Sequence, residues 1–233
     1  MEAASEDNIP LKFSDVTRTE EWSVLQPQLY SLLPRIEEHT CSHAEHITRH
    51  FELYVEWAPL RNFFFERLCA AEFHWFFIQG VDAIMNGLYV PGVSSLLNGL
   101  EASLRMTLAQ VTTSEHPVRE MSPYRVLSNN LIVNARDIGM PVSVLAFPNE
   151  TDFDQKLNSH KPNRIDVEVV RYRNNICHGN ILEFLNRTLG PENSFFTPVS
   201  LRSLAFALLD ISGAWAEQLG RFRRSYNLLH YDQ

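Results

Sequence analysis

Apolar residues recur at three- and four-residue spacing along most of the 233-residue chain, the period that lines one face of an α-helix. From about Pro59 to Gly87, the positions Leu60, Phe64, Leu68, Ala71, Trp75 and Ile78 predict one long helix. Gly87 and the Pro91-Gly92 pair punctuate it, because both residue types interrupt regular structure. Val93, Leu97, Leu100, Leu104, Leu108 and Val111 predict the stripe of a second helix. Asn163, after Pro162 and with Asp166 at N3, predicts the cap of a third. Thr197-Pro198 is the N-cap and N1 pair of the last, which carries Leu201, Leu204, Leu208, Ile211, Trp215, Leu219 and Phe222.

Ahead of these, Thr17 with Glu20 makes a capping-box pattern before EEWSVLQPQLYSLL. Residues 1–57 therefore read as an N-terminal helical extension, and 58–233 as the main domain. The stretch 112–162 is mixed: a helix opened by Ser122-Pro123, then a β-like run, PVSVLAF (141–147), too isolated to imply a sheet. It reads as an insertion. The expected fold is all-α, an up-and-down bundle of four long helices.

Composition adds a core and removes some functions. Hydrophobic residues make up 45% of the chain and 15 are Phe, concentrated in APLRNFFFERLCAAEFHWFFIQG (58–80). That is enough to bury a sizeable interior. A formal charge of -8 argues against a broad nucleic-acid surface working by counterion release, but it leaves room for a local basic site. Cys41, Cys69 and Cys177 are odd in number and form no CxxC, which suits reduced thiols in a cytosol. The start, MEAASEDNIPLKF, has no apolar core of a signal peptide. No run reaches the roughly 18 apolar residues of a membrane span. The expectation is a cytoplasmic protein without membrane contact, whose N-x-T sequons at Asn149 and Asn186 arise by chance.

HTCSHAEHITRH places His39, His43, His46 and His50 at i, i+4, i+7 and i+11, on one helical face. A histidine pair at i,i+4 can chelate a transition metal. The HExxH order that would add a general base is absent, so a solvated polar face is the plainer reading, and no cofactor is expected.

The densest chemistry lies in RYRNNICHGNI (171–181). Asn and Gly each weaken a helix interior by roughly 0.5–1 kcal/mol relative to Ala. On a helix Asn174 and His178 share a face with Val170 and Ile181, while Val169, Tyr172 and Ile176 share another that points into the bundle. Gly179 removes a side chain where a ligand or backbone could come close. A guanidinium such as Arg173 can hold a phosphate bidentately. An imidazole such as His178 can take a proton from a hydroxyl and return it to a leaving group. Cys177 has no placed His–Asp partner and reads as a small packing residue. Glu101 and Arg105 form an i,i+4 pair directed inward or at the motif helix. Arg171, Lys161, Arg164 and the RFRR run (221–224) could form a basic rim for RNA.

The motif RNNICHG (173–179), of the form R-N-x-x-x-H followed by Gly, resembles the HEPN superfamily, the "higher eukaryotes and prokaryotes nucleotide-binding" domains. GLEASLRMTL (99–108) is similar to that family's second helix, and the flanking helices extend the likeness from about 59 to 229. The resemblance implies a metal-independent endoribonuclease in a toxin–antitoxin, antiviral defence or RNA-processing setting. It implies a homodimer whose motif helices, 163–187 here, meet to build a composite site. His178 would be the general acid/base, Arg173 would stabilise the phosphate, and Asn174 would orient a partner, with Arg171, Glu101 and Arg105 as substrate-binding candidates. RNA and an antitoxin or regulatory protein would be the partners. A branch paired with nucleotidyltransferases carries a tyrosine two residues after the histidine; that position is Asn180 here. The alternatives are a catalytically inert module of the same type and a structural helical adaptor.

Overall fold

A repeat of three and four positions buries one stripe of each helix, and these stripes meet in a single core. The structure, a computed structural model, describes residues 55–113, 126–187 and 194–228, apart from Cys69, Ala71 and Glu72, together with Glu52, Gly190 and Glu192. Among them are seven α-helices: α1 (Ala58–Leu68), α2 (His74–Met85), α3 (Tyr89–Thr112), α4 (Asn129–Asp137), α5 (Phe153–Leu157), α6 (Glu168–Cys177) and α7 (Arg202–Ser225). Short 3-10 turns cover Val142–Leu145, Ile181–Phe184 and Pro198–Leu201. The described residues hold no strand, only an isolated antiparallel bridge between Asn186 and Phe195. The protein is all-α. The predicted Thr17 cap, the histidine face at His39, His43, His46 and His50, and Ser122-Pro123 lie outside the described residues.

Helices α1, α2, α3 and α7 surround the main core: α1 packs on α2 and α7, and α3 packs on the same two. The motif helix α6 lies outside this set, against α3. The helix expected over 59–87 is therefore two, α1 and α2. On one unbroken helix Phe63, Phe64, Phe73 and Phe77 would spread over about half the circumference; the break brings all four into the core. Phe64 and Phe77 stack at 5.3 Å. Trp75, expected on the buried stripe, is 59% exposed.

Pro91 and Gly92 do not interrupt the chain; they sit in the first turn of α3, where proline's missing N–H has no intrahelical partner to lose. Gly92 is there for space, since a Cβ would stand 2.6 Å from Ile84 Cγ1. The β-like run at 141–147 is the 3-10 turn Val142–Leu145. Its two buried residues, Val142 and Leu145, are three apart and so share one side of the turn. Residues of the 126–157 stretch, among them Leu131, Ile132, Leu145 and Phe153, join the common core.

The last helix follows its predicted stripe: Leu201, Leu204, Leu208, Ile211, Trp215 and Leu219 are buried. Trp215 Nε1 donates to Ser103 Oγ across the core at 2.8 Å. Thr197 leads the Pro198–Leu201 turn, and its backbone N–H donates to Ser200 Oγ at 3.4 Å. The 198–225 segment is long and apolar enough to cross a membrane, and half of its most apolar window is buried.

Candidate functional site on the Arg173–His178 helix

The start of α6 is fixed by side chains distant in sequence. Asn129, 1% exposed, donates from Nδ2 to Lys156 O (3.0 Å) and Ile165 O (2.9 Å), and its Oδ1 accepts from Val167 N (3.2 Å). Ser159 Oγ accepts from Ile165 N at 2.9 Å. These bonds satisfy the Ile165 N–H and carbonyl and the Val167 N–H without helical partners. The helix consequently starts at Glu168 rather than at the predicted Asn163 cap. Its first N–H, from Glu168, goes to Glu150 Oε1 at 2.8 Å, a carboxylate placed where the helix dipole favours negative charge.

One and a half turns along, Arg173 points at α3. Its Nε donates to Glu101 Oε2 at 2.9 Å, and Arg105 Nη1 donates to Glu101 Oε1 at 3.3 Å. The three side chains are 13%, 9% and 18% exposed. The inward-facing Glu101–Arg105 pair thus belongs to a three-residue cluster with the motif arginine. Arg173 Nη1 also approaches Asn174 Oδ1 at 3.5 Å.

His178 is not inside the helix. It is the C-cap residue, exposed, with its backbone N–H on Asn174 O at 3.0 Å. Five positions separate it from Arg173, about 140° around the axis. Within one chain the arginine faces α3 while the histidine stands at the helix end in solvent.

Gly179 follows with φ +68°, and a Cβ there would meet nothing within 4 Å. Its N–H donates to Ile176 O (3.3 Å) and that of Asn180 to Asn175 O (2.8 Å), the paired bonds of a Schellman terminus. The glycine ends the helix, and the space beside it is open. Cys177, expected to pack inside, is exposed at this terminus.

Arg171 is engaged on both sides. Its Nε donates to Glu168 Oε2 at 3.0 Å, and a second ion pair joins it to Glu183. Its guanidinium lies 4.4 Å from the Tyr172 ring centre. Asn175 Nδ2 donates to Glu183 Oε2 at 2.7 Å. Behind it, Lys156 Nζ reaches Glu150 (3.2 Å), Asp152 (3.1 Å) and Glu168 (3.1 Å). Burial pulls the Lys156 ammonium toward neutrality, but hydrogen bonds to Glu168, Asp152 and Glu150 outweigh it and raise its pKa. Burial pushes the Glu168 carboxyl up, yet hydrogen bonds from Arg171 and Lys156 prevail and hold it below the ordinary carboxylate range. Arg171 is raised, because Glu168 outweighs its desolvation.

The basic rim expected from the sequence loses one member to the core. Arg223 is fully buried, donating to Thr107 Oγ1 (3.0 Å) and Gln110 Oε1 (2.6 Å). Arg221 pairs with Glu217, and Arg164 stands 3.7 Å from Asp166. Among the described residues no His, Cys, Asp and Glu group is arranged to hold a metal.

Beside α6, on the Tyr172 side, opens a cavity of about 530 Å³, floored by α7 and walled by Phe147, Tyr172 and Phe184. Neither this cavity nor Asn129, Glu150 and Lys156 was singled out from the sequence. The Glu168–Arg171 spacing was the visible signal, an i,i+3 pair of opposite charge at the head of the helix. Comparison with protein-family models, curated proteins and solved structures finds no match for this chain.

Proposed function

We propose that the protein is a HEPN-type, metal-independent endoribonuclease that works as a homodimer. The observation supporting it most is the way Arg173 is held. A largely buried carboxylate, Glu101, fixes its Nε while an exposed imidazole, His178, ends the same helix. A pre-ordered guanidinium can stabilise charge developing on a phosphate, and Arg105 on the same carboxylate adds a second cation. His178 takes the proton from a ribose 2′-OH as the 2′-oxygen attacks phosphorus. The P–O5′ bond then breaks, and the imidazolium returns the proton to the 5′-oxygen. The products are a 2′,3′-cyclic phosphate and a 5′-hydroxyl.

Arg173 and His178 diverge within one chain, so the site needs two copies. Ile181 and Leu182, 48% and 64% exposed beside His178, are the apolar surface on which a second motif segment would pack. In this reading α1 with α2, then α3, α6 and α7 stand for the four helices of a HEPN-like bundle. The setting is cytoplasmic defence, toxicity or RNA processing, under an antitoxin or regulatory protein.

The competing reading is an inert module of the same type that binds RNA, a nucleotide or a protein. It is favoured by the full engagement of Arg171 with Glu168 and Glu183. Cleavage of total cellular RNA in EDTA separates the two. The nuclease cuts, leaves cyclic phosphate ends, and loses at least 100-fold in rate on His178→Ala or Arg173→Ala, in the range expected for removing acid–base or oxyanion stabilisation. RNA left intact by the wild-type dimer would rule out cleavage by the protein acting alone.

A further inference from the structure

The cavity beside α6 differs in character from the Arg173–Glu101 cluster. Its volume, about 530 Å³, falls within the roughly 300–1,000 Å³ typical of small-molecule sites. Three aromatic rings form one wall. Tyr172 lies 5.0 Å from Phe147 and 6.2 Å from Phe184, nearly parallel to the latter at 29°. The floor is the Ser203, Leu204 and Ala207 face of α7, where small side chains leave the volume open. Asn186 and Thr197, one bearing an amide and the other a hydroxyl, also line it.

The charge of the lining narrows the ligand. Among the described residues its one charged residue is Glu183, and both carboxylate oxygens are taken, one by Arg171 and one by Asn175. Among the described residues no cation lines the cavity to attract a phosphate, and the carboxylate is already neutralised against a ligand ammonium. What remains is flat apolar surface with an uncharged polar edge, which suits an uncharged heteroaromatic ring carrying donors and acceptors on its rim.

We infer that this cavity is a binding site for a neutral nucleobase, and that it takes a nucleoside in preference to a phosphate. The inference deepens the ribonuclease reading by giving the site a base-holding neighbour on the same helix, about 100° round from Arg173. Binding itself does not depend on cleavage.

The test is titration of the full-length protein with each of the four ribonucleosides, followed by ligand-observed NMR, beside inorganic phosphate. At least one nucleoside saturates in the millimolar range or tighter. Ala207→Trp, which fills the cavity from its floor, weakens that binding at least tenfold, and Arg173→Ala leaves it unchanged. Ser203→Trp, on an exposed position of the same floor, serves if Ala207→Trp does not fold. Absence of saturation by all four nucleosides overturns the inference, as does saturation that neither tryptophan weakens. Nucleoside binding without RNA cleavage would sink the ribonuclease reading and leave the base site standing.

Discussion

Glu101 carries two guanidiniums on one carboxylate, so its partners are not equivalent to it energetically. Replacing Glu101 by Ala takes the carboxylate away from two arginines that are mostly buried, and breaking such a cluster costs about 3 kcal/mol. Replacing Arg173 by Ala leaves Glu101 with Arg105 and costs about 1 kcal/mol, near the median for single substitutions. Urea midpoints should fall in that order. His178→Ala, at an exposed helix end, should stay within about 0.5 kcal/mol of wild type, so a loss of cutting in that variant reports chemistry rather than folding. At this scale the sequence was half legible. The Glu101–Arg105 pair follows from i,i+4 spacing, whereas the Arg173–Glu101 bond joins residues 72 apart. No local period announces a contact of that kind.

At the scale of elements, periodicity located helices well and their ends poorly. The α7 stripe matches its spacing because every signal for it is local. The start of α6 was misread because Ser159 takes the Ile165 N–H that a local Asn163 cap would have served, while Asn129 and Glu150, far away in sequence, take those of Val167 and Glu168. Its end was misread in another sense. The cost of placing Gly near a motif histidine is offset at least by helix termination, which needs its positive φ. Gly179→Ala should therefore destabilise the protein by about 1 kcal/mol, the penalty of a left-handed conformation for an L-residue, with Tm as the measurement. Gly220 faces a harder limit: a Cβ there would lie 2.0 Å from the Arg67 carbonyl oxygen. Gly220→Ala should cost about 3 kcal/mol by forcing α1 and α7 apart, seen as a large drop in urea midpoint.

Across the whole molecule the all-α class was legible from a three-and-four repeat broken by only one short β-like run, 141–147. The arrangement was not, because the break after Leu68 answers to a shared core rather than to any breaker in the sequence. Charge acts at this scale too. Glu168 titrates low, so its contribution is complete above the unfolded carboxyl pKa, about 4.3, and is lost as pH falls through the folded value. Lys156 titrates high; its contribution is complete below about 10.4 and is lost as pH rises through the folded value. Both are fully present at neutral pH. Glu168→Gln should accordingly flatten the acid limb of the stability curve below about pH 4.3. Lys156→Met should lose about 3 kcal/mol at pH 7 and recover part of it by pH 4, where the stranded carboxylates take up protons. Denaturant midpoints at the two pH values check both.

The ion pairs running Glu150, Lys156, Glu168, Arg171, Glu183 alternate in sign along their whole length. A single substitution at Lys156, Glu168 or Arg171 leaves two like neighbours facing one gap, and only a second change at an adjoining link restores the balance. Descendants of this sequence should therefore vary at these five positions in linked pairs. A lineage that has lost Lys156 should have neutralised Glu150 or Glu168 as well, so the drift of an alignment would carry the imprint of the string without any structure to guide it.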